Sequence, residues 1–411
     1  MYLDFAATTP VNNGFINSVN NNIHIYANPQ SNHFMGFNSR ENIEQSTKNI
    51  LNNIFIYSQG EVPTNIVDYD ILYTSGSTES INTVFNAFKD PFTLFIYIDY
   101  DHKATLQCIK KYAHRSYVIS ARNICSDEED FEVYEKEIKK LQTEFKLNKV
   151  VLSIITVNNE TGDIIPNDWI DNMFESLKRV FSRDKIFIHL DHTQGMMKLQ
   201  NYEIDTYKVD MISFSAHKFG GFKGFGGLIY NKRCAETLQK NPLIVGGGQQ
   251  NGMRSGTENP LFVVSLDNLI QERIMYANNH QNECVNLKDT ILNEIKNIAD
   301  KCNIKLYINR NLRLRQSPHI LNISLLGIEG ESVLSALMYD CISTTSACNS
   351  DLLQSSHVLE ALKIDKKIAN CALRFSIDEM FISEEMVKDF FQNTFTLAIK
   401  HLARMRIRDL K

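Results

Sequence analysis

The chain has 411 residues, of which 43% are apolar, 10% aromatic and 22% charged, which excludes a disordered polypeptide and allows a sizeable core. Lys and Arg number 43 against 48 Asp and Glu, a net charge of −5. That balance lacks the cationic surplus a general nucleic-acid binder needs, so no nucleic-acid partner is expected.

At about 150 residues per domain, the length predicts about two to three domains. The opening Met1-Tyr2-Leu3-Asp4-Phe5 has no basic stretch followed by an apolar one, so no signal peptide is expected. No run of about 18 apolar residues occurs, and no membrane helix is expected. Further along, Tyr73-Thr74-Ser75-Gly76-Ser77-Thr78-Glu79-Ser80 leads into a helical pattern ending at Phe88. Hydroxyls at a helix N-terminus suit an anion such as phosphate, and equally suit a plain cap. A strand follows at Thr93–Ile98, and after it Asp101-His102-Lys103. A histidine at a strand end can stack on a flat ring or be purely structural.

The pattern then alternates. A helix is expected over Tyr134–Phe145, a strand over Val150–Val157, a helix over Trp169–Phe181 and strands over Ile186–Leu190 and Met211–Phe214. Strand, helix, strand in succession predicts a mostly parallel sheet with helices on both faces, binding ligands at the carboxyl ends of its strands. Asp191 stands at one such end, in His189-Leu190-Asp191-His192-Thr193-Gln194. A carboxylate there needs a cation or a ring N–H; a helix cap or salt bridge reads equally well. Lys218 stands at another, in Ser213-Phe214-Ser215-Ala216-His217-Lys218 before Gly220-Gly221. A desolvated lysine is an amine nucleophile, although a single lysine is more often simply exposed. Glycines cluster at Gly220-Gly221, Gly224, Gly226-Gly227 and Gly246-Gly247-Gly248, as where backbone turns or approaches a ligand. From about Leu266 the chain turns more helical, then mixed after Ile320, predicting a smaller α+β domain with the first residues packed back on it. The eight cysteines lie singly, with no C-x-x-C pair, which fits reduced thiols in a cytosol-like compartment.

An amine nucleophile, a carboxylate for a ring nitrogen, a stacking imidazole and a phosphate cup together suit pyridoxal 5′-phosphate. On these motifs the chain resembles a NifS/IscS-type cysteine desulfurase, of the class V aminotransferase family and fold type I. Tyr2–Pro10, Val157-Asn158-Asn159-Glu160-Thr161-Gly162, the run Gly246–Thr257, Ser343-Thr344-Thr345-Ser346-Ala347-Cys348 and Leu373-Arg374-Phe375-Ser376 carry the same resemblance, which spans residues 2 to about 400.

The resemblance implies a segment 1–15 packed on the small domain, a large cofactor domain over 16–265, and a small domain over 266–411 carrying the cysteine loop. It implies that Lys218 bonds the cofactor and moves protons at the substrate Cα, that Asp191 holds the pyridine nitrogen, and that His102 stacks on the ring and serves as acid or base. Gln194 and Asn159 lie near the cofactor and substrate, and Ser77, Thr78, Ser215 and His217 form the phosphate cup. Thr257 reaches the phosphate of a partner subunit, implying a homodimer with shared active sites, and Arg374 grips the carboxylate of L-cysteine. Cys348 takes the sulfur as a persulfide for an acceptor protein or thiol, with iron–sulfur cluster or thio-modification supply as the outlet. Two departures stand out: Thr345 replaces a usual glycine, and His192 a usual alanine beside Asp191. Two rival readings remain open here. One is a selenocysteine lyase or another lyase or aminotransferase of this fold; the other is a binding protein that retains the fold without catalysis.

Overall fold

The computed structural model describes residues 1–127, 129–344 and 356–409, with side chains to residue 405. Seven strands form the central sheet, in the spatial order Tyr69–Thr74, Gly226–Asn231, Met211–Ser215, Ile186–Asp191, Lys149–Ile155, Thr93–Ile98 and Arg115–Ile119. From Met211–Ser215 outward to Arg115–Ile119 all neighbours are parallel. Gly226–Asn231 runs antiparallel to both of its neighbours.

The interior strands are apolar almost throughout because both faces of the sheet are covered. Successive side chains point to opposite faces. Leu94, Ile96, Val150, Leu152, Ile186 and Ile188 join one core, with Trp169 and Met173 of helix Asn167–Lys178 and Leu266 and Leu269 of helix Pro260–Asn279. The alternate residues Phe95, Val151 and Phe187 join a second core, with Val84 and Phe85 of helix Ser77–Phe88 and Ile109 of helix Lys103–Tyr112.

Element ends differ from the sequence reading by a few residues. The helix read from Ser80 begins at Ser77, because Gly76, at φ 145°, is its cap. The strand expected to reach Val157 ends at Ile155. There the ladder breaks: Thr156 N–H donates to the Asp191 carbonyl at 3.1 Å. Gly226 and Gly227, read as part of a turn, begin a strand. Their reason is close packing: a Cβ on Gly226 would lie 2.4 Å from the Phe214 carbonyl oxygen, and one on Gly227 2.7 Å from the Phe214 ring.

A second sheet is antiparallel, in the order Ser343–Thr344, Ala372–Ser376, Ile320–Leu325 and Leu306–Ile308. Its core takes Leu287, Ile291 and Ile295 from helix Glu283–Lys301, and also Leu3 and Phe5 from the chain start. Backbone bonds hold that start in place: Leu3 N–H to the Cys341 carbonyl at 2.7 Å, and Ser376 N–H to the Leu3 carbonyl at 2.8 Å. Helix Pro260–Asn279 packs its Val263, Leu266, Leu269 and Ile270 against the large sheet, so the 265/266 division drawn from sequence falls inside it. No described helix is long and apolar enough to cross a membrane.

Arg273 of that helix is buried and pairs with buried Asp378, just beyond strand Ala372–Ser376. Its Nε–H also donates to the Phe219 carbonyl at 2.6 Å, one residue past Lys218. A buried pair broken on one side leaves an uncompensated charge, at a cost of about 3–5 kcal/mol. Asp378→Ala should therefore lower the unfolding free energy from urea titration by that order, with a lower midpoint, while the double change Arg273→Met with Asp378→Leu restores most of it. A single variant with the parent midpoint contradicts this.

Candidate active site

Strand ends gather the chemistry. The strands Ile186–Asp191 and Met211–Ser215 are parallel neighbours, so their carboxyl ends present Asp191 and the Lys218 turn at one edge. Lys218 lies in a short helical turn, Ala216–Lys218, and its Nζ donates to the Ala6 and Ala7 carbonyls, each at 2.8 Å. Burial pushes its pKa down to about 8, with the nearby Lys198 and Arg374 cations adding to the fall and Asp191 opposing it. About a tenth of the amine is thus uncharged at pH 7, far more than at the ordinary lysine value.

Asp191 is buried, and its Oδ1 accepts from Thr193 N–H at 3.2 Å and from the Thr193 hydroxyl. That hydroxyl also lies 2.6 Å from Ser77 Oγ. Ser215 Oγ is 3.1 Å from Ser77 Oγ and accepts from Ser77 N–H at 2.7 Å. Ser77 opens a helix whose cap, Gly76, makes no side-chain capping bond, so beyond the Ser77 N–H taken by Ser215 the next first-turn N–H groups, of Thr78 and Glu79, can face an anion. A Cβ on Gly76 would sit 3.0 Å from Ser215 Oγ, which keeps this cup narrow.

His102 caps helix Lys103–Tyr112 through Nδ1, which accepts from Ala104 N–H at 3.1 Å. The lone pair used there leaves the ring proton on Nε2. Burial lowers its pKa; Asp191 pulls it up and Lys218 pushes it further down, so all three share one electrostatic environment. His217 Nδ1 lies 3.1 Å from Thr8 Oγ1, and burial takes its pKa to about 4. Gln194 is buried, and its Nε2–H donates to the Ala6 carbonyl at 2.8 Å.

Arg374 comes from the second sheet. Its Nη1–H donates to the Asn159 carbonyl at 2.9 Å and its Nη2–H to Asp4 Oδ1 at 2.7 Å. Its Nε–H is buried with no partner among the described residues, a donor lacking an acceptor. Asn159 thus meets Arg374 through its backbone.

Two expected residues stand apart. Thr78 is exposed on the first helical turn. Thr257 is exposed, lines a small cavity with Thr74 and Ser75, and has no hydrogen bond to Ser77 or Ser215 among the described residues. Cys348 and Thr345 lie outside the described residues. Other groups had no role assigned in the sequence reading, although Asp4, Ala6, Ala7 and Glu160 lie in stretches that carry the resemblance. Asp4 and the carbonyls of Ala6 and Ala7 hold Arg374 and Lys218. Glu160 accepts from the Ser356 hydroxyl, and His357 Nε2 lies 3.0 Å from the Asp101 carbonyl, which returns the chain beside His102.

The family model for aminotransferase class-V matches residues 1–388. A protein named cysteine desulfurase IscS, from Buchnera aphidicola subsp. Baizongia pistaciae, is 30% identical, over 100% of this chain and 94% of that protein. Its namesake in Buchnera aphidicola subsp. Schizaphis graminum is 31% identical, over 99% of this chain and 93% of that one. A solved structure titled NifS-like protein is 25% identical, with a TM-score of 0.75 over 98% of this chain and 99% of that one.

His192 belongs to the core beneath the site. Alternation along the strand turns it away from the Asp191 side. Its Nδ1 lies 2.8 Å from Thr156 Oγ1, its ring stacks on Tyr202 at 5.7 Å, and a Cβ on Gly195 would lie 2.3 Å from its Cε1. Burial takes its pKa to about 4, from an ordinary 6.5. The unfolded chain therefore takes up this proton first. The stability His192 contributes is present above about pH 6.5 and drains away as pH falls towards 4, on the order of 3 kcal/mol. His192→Ala should lose correspondingly less stability between pH 6.5 and 4 than the parent in urea titrations; parallel profiles contradict this.

Proposed function

The chain belongs to the class V aminotransferase family, in its NifS/IscS-type branch, and from that premise we propose that it is a pyridoxal-phosphate-dependent cysteine desulfurase. It converts L-cysteine to L-alanine and leaves the sulfur as a persulfide on Cys348. The observation that carries the reading is the half-buried Lys218 amine, held by the Ala6 and Ala7 carbonyls at the carboxyl edge of a parallel sheet, its pKa lowered and within the electrostatic reach of Asp191 and Arg374.

The residues present fit the cofactor. The cup of Ser77, Ser215 and an uncapped helix start suits its phosphate, with His217 beside it. Asp191 suits its ring N–H, and His102 suits its ring face. When bound, pyridoxal 5′-phosphate supplies an aldehyde that captures amines and a ring that draws electrons from the substrate Cα. Lys218 would hold the cofactor and carry the Cα proton. His102, its pKa lowered by burial, would be a second proton carrier. Arg374 grips the substrate carboxylate, and its unpartnered Nε–H supports that role. Asn159 and Gln194 border the same space.

Cys348 then bonds the substrate sulfur as the Cβ–S bond breaks, and Cβ takes a proton to give alanine. The sum is cysteine plus the Cys348 thiol giving alanine plus the Cys348 persulfide, with no external oxidant. A thiol acceptor, protein or small, receives that sulfur. The proposal includes a homodimer in which Thr257 serves the partner's phosphate cup, supported by its exposure and its lack of bonds to its own. It also includes a cytoplasmic location, supported by seven described cysteines that are all free.

Cys348→Ser should abolish alanine formation from cysteine in the presence of a reductant, and the parent should gain one sulfur on the peptide containing Cys348. Unchanged turnover in the variant removes Cys348 from the reaction. The Lys218 pKa gives a separate expectation, because only the neutral amine attacks an aldehyde. The rate at which the cofactor-free chain takes up pyridoxal phosphate should rise with pH through about 8 and then level off. A rise that continues to the ordinary lysine value near about 10.4 contradicts the burial argument.

A further inference from the structure

A cavity of about 520 Å³ is lined by Tyr57, Lys198, Cys284, His319 and Glu379, and by none of the residues assigned to the Lys218 site. Three ligand-type atoms from three segments converge there. Cys284 Sγ, His319 Nδ1 and a Glu379 carboxylate oxygen all lie within 4.8 Å of one another. Cys284 opens helix Glu283–Lys301, His319 immediately precedes strand Ile320–Leu325, and Glu379 follows strand Ala372–Ser376. Sγ lies 3.1 Å from Nδ1, and Nδ1 lies 3.5 Å from Glu379 Oε2.

The other histidine nitrogen fixes what this one presents. His319 Nε2 is 2.7 Å from the Lys198 carbonyl, which can only accept, so Nε2 carries a hydrogen, and in the neutral ring that burial favours Nδ1 offers its lone pair to the cluster. The Ile377 carbonyl lies 3.3 Å from the same Nδ1. Sulfur, nitrogen and two oxygens thus face one small volume that contains a single hydrogen, that of the thiol. Glu379 Oε2 is buried with no hydrogen-bond partner among the described residues, in a side chain only 12% exposed. Buried acceptors in this arrangement call for a cation. The amines lining the cavity donate elsewhere, Lys198 Nζ to Thr9 Oγ1 at 3.4 Å and Lys288 Nζ to the Ser317 carbonyl at 2.7 Å. The adjacent Asp378 is already paired with Arg273.

We propose that Cys284, His319 and Glu379 form a zinc site built from residues outside the set assigned to the desulfurase chemistry, with the fourth position open to the cavity. A mixed thiolate, imidazole and carboxylate set suits a borderline-soft divalent ion, zinc above calcium or magnesium. Tetrahedral zinc with bonds of about 2.0–2.3 Å separates its donors by roughly 3.3–3.8 Å; the Cys284–His319 and His319–Glu379 pairs are within a few tenths of an ångström of that spacing, and Cys284 and Glu379 lie within 4.8 Å of each other. Binding exchanges the thiol proton for the metal, Cys–SH plus Zn²⁺ giving Cys–S–Zn⁺ plus a proton released to water. The Lys198 carbonyl is the outer partner that holds the imidazole in its ligating tautomer.

The test uses the pyridoxal-phosphate-loaded protein in a Cys348→Ser background, which removes that thiol as a competing ligand. After chelator treatment and dialysis against zinc chloride, elemental analysis should give one zinc per chain. X-ray absorption should show one sulfur at about 2.3 Å and nitrogen or oxygen at about 2.0–2.1 Å. Adding Cys284→Ser or Glu379→Gln should weaken zinc binding at least about tenfold, with folding checked by circular dichroism and cofactor absorbance. If Cys284→Ser does not fold, the isosteric Glu379→Gln carries the comparison. Equal zinc binding by parent and variants, no zinc in any of them, or a sulfur-free shell overturns the site and leaves a thiol–imidazole pair closed by a proton.

Discussion

The structure depends on an amine held by two backbone carbonyls. Lys218 Nζ donates to Ala6 and Ala7, residues of a segment that is remote in sequence yet anchored in the second sheet's core through Leu3 and Phe5. Removing a lysine from water raises the energy of its charged form, and the neighbouring Lys198 and Arg374 raise it further. The two carbonyls accept the hydrogens of the amine, so it can be dry and neutral without an orphaned donor. A reactive lysine is the consequence of where the first ten residues go.

That segment also joins the two halves of the site chemically. Asp4 holds Arg374 on the second sheet, Ala6 receives Gln194 from the first, and Thr9 Oγ1–H donates to the Lys218 carbonyl at 2.7 Å. Arg273 and Asp378 make a second tie between the same two sheets, ending on the residue after Lys218. Arg374 and Lys218 are therefore positioned by contacts to one shared segment.

Much of this was legible in the sequence for identifiable reasons. Thr93–Ile98 matches its expected bounds because a strand buried on both faces is an uninterrupted apolar run. Asp191 and Lys218 stood out because strand ends followed by polar or glycine-rich residues mark a ligand edge in parallel sheets, and Ser215 entered through the family resemblance. The contributions of Ala6 and Ala7 were not legible, since a backbone carbonyl leaves no trace in residue type. Gly226 and Gly227 misled the reading because glycine serves close strand packing as well as turns. The period-2 rule applied to Asp191 already implies that His192 faces the other way, and the structure puts it against Tyr202. The cluster at Cys284 was invisible for a different reason: its three residues lie on separate segments with no spacing motif.

The central claim, that Lys218 is the residue bonded to the cofactor, is tested most directly by borohydride reduction of the purified holoprotein followed by peptide mass mapping. The account predicts a phosphopyridoxyl group on the peptide containing Lys218 and on no other lysine. The same group on a different lysine, or on none, contradicts it.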